Sequence, residues 1–347
     1  MLAVHGSYRR RASSLSSAAY DASVSAIVSY AQNREDVVLW RALGGVSAGC
    51  YVEVGANHPR DDSATRIFYD RGWSGITIEP VPYFADLHRA QRPRDHLVEA
   101  AITNSGRGEI TLHVVPGTGL SSIVDSVSDR HAKAGIEHVD VMVPTMRLDD
   151  VLAESGWADR EIHFMLIDVE GAEREVLQSV DLERWRPWVL VVESTEPNSA
   201  VMSHSDWEPE LLARGYEYCL FDGVSRFYVA AEKAALLRAP LSYPACVLDD
   251  YQTLPQTIAA QERQELLEQT ARERQELLKQ TTHWRTIALT RWADAVSQGA
   301  GLSRNPDQSA ELEDARSQFV AIQRTVSWRI TRPLRGVRRV IDRARGR

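Results

Sequence analysis

The sequence predicts an α/β fold: a doubly wound, mostly parallel sheet followed by a C-terminal helical extension. Three observations carry this reading. Short apolar runs alternate with amphipathic stretches from about residue 30 to 250. The first buried run ends in a glycine turn, Val54-Gly55-Ala56, and the next ends in an acid, Glu79. From about 255 the chemistry changes to an 11-residue repeat. Alternating strands and helices build a parallel sheet covered on both faces, because each crossover must pack back onto the sheet.

Each element has its own signal. Cys50–Val54 is rich in β-branched residues and bounded by glycines, so it reads as a buried strand. A helix at 62–71 ends before Gly72, and a strand at 75–79 stops at Pro80. A helix at 82–91, one strand at 96–102 and another at 109–115 follow. Residues 121–134 read as helix, 139–143 as strand and 147–154 as helix. The most apolar strand, 163–169, precedes a helix at 172–179, and Pro187–Glu193 is a further buried strand. A helix at 206–214 and strands at 216–221 and 226–230, turning at Asp222-Gly223, close the domain with an antiparallel strand at the sheet's end.

ERQELLEQT at 262–270 recurs as ERQELLKQT at 273–281, an 11-residue period that aligns Leu266 and Leu267 with Leu277 and Leu278. Such a period keeps an apolar seam straight along a helix. A seam this narrow needs a partner, so a coiled coil or helical hairpin is expected, and with it a homo-oligomer. The organisation expected is therefore an N-terminal segment without order (1–25), the α/β domain (26–252), a coiled-coil helix (253–298), a linker (299–308) and a helical basic tail (309–347).

Composition limits the function. Hydrophobic residues are 44% and charged residues 25%, so 347 residues can bury a sizeable core. No apolar run reaches the length of a membrane span, and no signal peptide is read at the N-terminus. Cys50, Cys219 and Cys246 are few and widely spaced, which fits reduced thiols in the cytoplasm. Residues 324–347 hold nine arginines against Asp342, a local charge of +8 in a chain whose net charge is −8. An acidic body argues against nucleic acid as a partner.

In an open α/β sheet, ligands bind at the carboxyl ends of the strands, where strand order reverses. Gly55 lets the backbone approach a ligand there, and Glu79 stands where it can accept hydrogen bonds from both hydroxyls of a ribose. A dinucleotide would need further glycines to seat its pyrophosphate. Asn57, His58, Pro59 and Arg60 follow instead, so a cofactor without pyrophosphate, such as S-adenosylmethionine, fits better. Asp168 and Glu170 follow the most apolar strand and fall on one side of it by alternation. They and Glu193, at another strand end, could ligate Mg²⁺ or Mn²⁺. Alternatively one of them, or His204, is a general base. A third reading has Asp168 capping the next helix. The loop at 116–122 reads equally as a lid or a linker. His58, His113, His131, His138 and His163 lack metal-ligand spacing and read as surface or packing histidines.

From about Tyr30 to Tyr251 the chain resembles the FkbM family of methyltransferases. The motifs are SYAQNRED at 29–36, VEVGAN at 52–57, GITIEP at 75–80, PGTGLSS at 116–122, IDVEGAE at 167–173 and VESTEPNS at 192–199. The resemblance implies a class I, Rossmann-like methyltransferase with seven strands, the last antiparallel, and O-methylation with S-adenosylmethionine. It implies that Glu53, Gly55 and Asn57, with Ala56 between them, line the methionine end. Glu79 and Pro80 would hold the ribose and Ala101 would flank the adenine, with Gln32 and Ser63 as further contacts and Asp168 nearby. One position departs from the pattern, Ser225, where relatives often carry Asn.

Val326, Ile330, Leu334, Val337 and Ile341 recur at helical spacing among the tail arginines, beside Trp328. A basic amphipathic helix of this kind suits an anionic membrane at the inner face of the plasma membrane, or a partner protein. The run SWRITRPLR at 327–335 resembles the ending of bacterial surface-polysaccharide assembly proteins, which favours a glycan or glycolipid acceptor. A non-catalytic scaffold in such an assembly, acting through the coiled coil and tail, is the alternative.

Overall fold

The computed structural model describes residues 27–157 and 160–299, together with 313, 314, 316–318, 320, 321 and 324. The N-terminal segment 1–25, nearly all of the linker 299–308 and the amphipathic tail at 326–341 lie outside the described residues. The chain divides into two units, Met1–Glu262 and Arg263–Arg347.

The first unit opens with β1 (Ile27–Ser29), α1 (Glu35–Leu43) and β2 (Cys50–Val54). Then α2 (Arg66–Asp70) leads to β3 (Ser74–Ile78), and α3 (Pro82–Gln91) to β4 (His96–Val98). Next come β5 (Ala101–Ile102), β6 (Gly108–Val114), α4 (Asp125–Lys133) and β7 (Val139–Met146). After α5 (Leu148–Glu154) the chain forms β8 (Phe164–Ile167), α6 (Glu173–Gln178) and β9 (Val189–Glu193). The helix α7 (Glu208–Ala213) leads into the hairpin β10 (Tyr216–Phe221) and β11 (Ser225–Ala230). Finally come α8 (Ala234–Leu241), β12 (Tyr251–Thr253) and α9 (Leu254–Gly299).

Seven strands form the main sheet in the order β10-β11-β9-β8-β2-β3-β4. Neighbours from β9 to β4 are parallel, and β11 runs antiparallel to both β9 and β10. The architecture is thus α/β with a large, mostly parallel sheet. Alternation along the strands separates two cores. Val52, Ile76, Met165 and Leu190 face α5, α6 and α7, whereas Tyr51, Phe164, Leu166 and Val191 face α1, α2 and α8. A third, smaller cluster, including Val81, Phe84, Ala101, Leu112 and Val143, packs beside the three-stranded sheet β5-β7-β6.

Four features differ from the sequence expectation. The strand expected at 96–102 breaks in two: β4 pairs with β3, and β5 turns away to pair with β7. The antiparallel strand β11 is inserted between β9 and β10, not placed at the edge. The helix expected from 121 starts at Asp125, because Ser122 first bonds back to His113 in both directions, at 2.9 and 3.2 Å. The short parallel pair β1–β12 and helices α1 and α8 were not anticipated from periodicity.

In the second unit the described part of α9 is unbroken helix from Arg263 to Gly299. Leu266, Leu267, Leu277 and Leu278 are all exposed there. No described helix is long and apolar enough to cross a membrane.

At the end of β2, Gly55 has φ +84, and a Cβ on it would stand 1.8 Å from the Asp168 carbonyl oxygen. Gly55→Ala is therefore expected to cost at least about 3 kcal/mol, combining left-handed strain with a backbone clash. Gly45→Ala, at a position with open space, should stay within about 0.5 kcal/mol of wild type. Urea denaturation of the two variants measures the difference.

Candidate active site

The chain runs from β2 outward to β3 and β4, then crosses to the other side of β2 for β8 and β9. Strand order therefore reverses between β2 and β8, and a cleft opens beyond their carboxyl ends. Val54, Gly55, Asn57, Glu79, Pro80, Ala101, Asp168 and Glu170 line it. Backbone bonds fix its floor: Gly55 and Ala56 both donate to the Ile78 carbonyl at 3.0 Å, and Asp168 donates to the Val54 carbonyl at 3.0 Å. One wall is apolar, made of Val81, Phe84, Ile102, Leu112 and Ile123.

Glu79 is 4% exposed and held on both oxygens. The Asn57 amide donates to Oε2 and the Val81 amide to Oε1, each at 2.7 Å. A carboxylate has about four acceptor sites, so about two remain for a ligand. Burial pushes its pKa up to about 7, against the two amide bonds that lower it. Asn57 stands at φ +45, and its own carbonyl faces His88 Nε2 at 3.0 Å. Its Oδ1 is buried without a partner.

Asp168, Glu170 and Glu193 converge so that one carboxylate oxygen of each lies within 4.8 Å of the others. β8 ends at Ile167, so the first two acids are brought together by the following turn and not by strand alternation. Glu170 sits at φ +52, its carbonyl accepting from Ser122 Oγ at 2.7 Å. Water reaches Asp168 on the cleft floor, although walls surround it, whereas Glu193 is buried behind it. Burial raises all three, and mutual repulsion adds to the rise at Glu170 and Glu193. Glu170 is pushed up to about 8. The contact between Glu193 and Asp168 raises Glu193 further and acts on Asp168 in the opposite sense, against the rise that burial imposes on both. Asp168 does not cap α6: the amides of Gly171 and Val169 go to Glu173 Oε1, at 3.0 and 3.4 Å.

The loop at 116–122 lies over this site. Thr118, Gly119 and Ser121 line the cleft, and a Cβ at Gly119 would come within 2.7 Å of Asn57 Nδ2. The choice between lid and linker thus resolves to a cleft-lining segment.

Other expected site residues lie off the cleft wall. Gln32 is exposed, its carbonyl taken by Arg34. Ala56 is buried beneath the turn. His204 sits 3.8 Å from Glu208. Glu53 and Ser63 point to the other face of the sheet, into a polar cluster around Arg92, which is 1% exposed. Arg92 donates to Asp95 at 2.8 Å, to the Tyr51 hydroxyl at 2.6 Å, to Thr65 at 2.7 Å and to Ser63 at 3.2 Å. Thr65 in turn donates to Glu53 at 2.6 Å. Sequence reasoning missed this cluster and the apolar wall; a buried arginine leaves no periodic signal.

Residues 53–218 match the family model described as Methyltransferase FkbM domain. Among solved structures, the chain is similar to a selenomethionine-substituted CurJ carbon methyltransferase. That match has 10% identity and a TM-score of 0.32, covering 57% of this chain and about half, 54%, of the other. No curated protein matches. The family match supports an S-adenosylmethionine-dependent methyltransferase.

Two predictions follow from the electrostatics. Arg92→Met strands Asp95 and Glu53 as buried carboxylates, and should destabilise the fold by about 3–5 kcal/mol in urea titrations. The second concerns pH. Glu53, Glu79 and Glu173 are pushed up to about 7, and Glu35 and Glu170 to about 8, chiefly by burial. Their folded values exceed the ordinary 4.5, so the folded chain holds protons that the unfolded chain has released. Stability should fall as pH rises from 6.5 to 8.5. Below that window the His88 value of about 4 acts oppositely. Melting temperatures across the range check the slope, which Glu35→Gln should flatten.

Proposed function

We propose that this chain is an S-adenosylmethionine-dependent O-methyltransferase whose acceptor is a sugar hydroxyl of a surface polysaccharide or glycolipid. The observation that carries the reading is Glu79, a carboxylate anchored by two amides with acceptor sites left over, at the reversal of strand order. That arrangement suits the vicinal hydroxyls of a ribose, and the apolar wall beside Ala101 suits a purine. S-adenosylmethionine supplies a sulfonium methyl for in-line displacement, so the protein's part is positioning and removal of a proton.

Asp168 is the proposed base. As the acceptor oxygen forms its bond to the methyl carbon, the carbon–sulfur bond breaks and the hydroxyl proton passes to the Asp168 carboxylate. Glu193, in contact with Asp168 behind it, orients that carboxylate and partly offsets the rise that burial imposes on it. Glu170 completes the acidic wall. The buried, unpartnered Oε2 atoms of Glu170 and Glu193 also fit Mg²⁺ or Mn²⁺. Asp168, Glu170 and Glu193 would then hold the ion, which would stabilise negative charge on the acceptor oxygen.

The exposed leucines of α9 support a homo-oligomer through that helix, and favour a scaffold role as the second reading. The basic tail belongs to the proposal as a contact with anionic membrane or a glycan-assembly protein. Calorimetry of the full chain separates enzyme from scaffold: no heat of binding at millimolar S-adenosylmethionine sinks the enzyme reading. Glu79→Ala should weaken binding by about 10–100-fold, as expected for lost bonds to a charged group. Asp168→Asn should retain cofactor while losing transfer. Deleting the gene should remove an O-methyl sugar from the cell's surface glycan.

A further inference from the structure

The small sheet assembles side chains that sequence spacing kept apart. His113 on β6 stands directly opposite Asp140 on β7, and His138 lies two residues before Asp140. Opposed positions bring Cβ atoms to about 4.5–5.5 Å, within reach of a shared ligand. His113 Nδ1 is 2.7 Å from Asp140 Oδ1, and His138 Nε2 is 3.6 Å from the same oxygen. One ligand atom from each of the three residues falls within 4.8 Å of the others. The two imidazoles meet edge to face, with centroids 5.2 Å apart.

A second feature concerns the outer nitrogen of His113. Nε2 lies 3.0 Å from Asp125 Oδ1, at the start of α4. A histidine that binds a metal ion almost always passes its other ring N–H to a carboxylate or carbonyl, which fixes the tautomer and the ring plane. Asp125 occupies that position. His138 Nε2 also meets Ser128 Oγ on α4 at 3.1 Å, closer than Asp140, and a bound ion would take the place of that hydrogen bond.

We propose that His113, His138 and Asp140 bind a divalent cation of the zinc type, with Asp125 orienting His113. Two imidazoles and one carboxylate form the N/O donor set that suits Zn²⁺, with water completing a tetrahedron. Asp140 is the most exposed of the three ligands, its side chain 60% accessible, which leaves the ion an open approach. The ion would tie together β6, β7 and the start of α4. The backbone of His113 is paired with Ser122, so the ion would also anchor the base of the cleft-lining loop. None of this depends on the methyltransferase reading.

The test uses the full chain, stripped with chelator and re-equilibrated with ZnCl₂. Bound metal is counted after desalting, and affinity is read by competition with a chromogenic chelator. One zinc per chain is expected, and Co²⁺ in its place should give the visible absorption of a tetrahedral site. His138→Gln and Asp140→Asn change accessible side chains, so circular dichroism should be unaltered while the zinc is lost. Asp125→Asn should weaken binding by about 10–100-fold. Glu193→Gln should keep the zinc, which separates this site from the acids of the cleft. A wild-type chain that retains no zinc, or a His138→Gln chain that retains as much, overturns the proposal.

Discussion

The organisation of the first unit depends on one contact without a side chain, where Gly55 passes the Asp168 carbonyl. β2 and β8 are neighbours in space but more than a hundred residues apart in sequence, and they are the strands between which the order reverses. Both must end at the same height for a cleft to exist between them. The bond from the Asp168 amide to the Val54 carbonyl sets that height, and the absent Cβ at Gly55 permits it. Asn57 and Glu79 on one side, and the acids at 168–170 on the other, are then brought to a common rim.

Polarity divides sharply between the two faces of the sheet at this end. On the face covered by α1, α2 and α8, Arg92 is matched by Asp95, Glu53, Tyr51, Thr65 and Ser63, a cluster that compensates its own charge. At the cleft, Asp168 and Glu170, with Glu193 buried behind them, converge without a basic partner among the described residues. Burial of like charges is expensive unless protons or cations are taken up. The cluster is therefore an electrostatic strain reservoir, and Glu53, one residue before Val54, is prevented from joining it by strand alternation alone.

Much of the architecture was legible because its signals are local. β2 and α3 coincide with the runs read at 50–54 and 82–91, and the Gly55 turn was visible as a break in an apolar strand. What failed was long-range. Nothing in 96–102 announces that Val98 stays with β3 while Ala101 leaves for β7, since the choice is made by partners elsewhere. The insertion of β11 inside the hairpin's edge is likewise a tertiary outcome. Among the site residues, Glu79 and Asp168 could be read from strand ends. Glu53 could not, because its side chain direction depends on where the strand's inward face lies. The pairing of His113 with Asp140 required the register of β6 and β7, which no spacing rule reveals.

The bond from Ser122 Oγ to the Glu170 carbonyl has a consequence for the cleft as a whole. Glu170 lies in a left-handed conformation that a non-glycine residue keeps only under constraint, and this hydroxyl supplies part of the constraint. Any excursion of the 116–122 segment that carries Ser122 away releases Glu170 as well. The cleft-lining segment and the acidic wall are thereby tied together through a single hydroxyl, so that loss of that one bond would unsettle both.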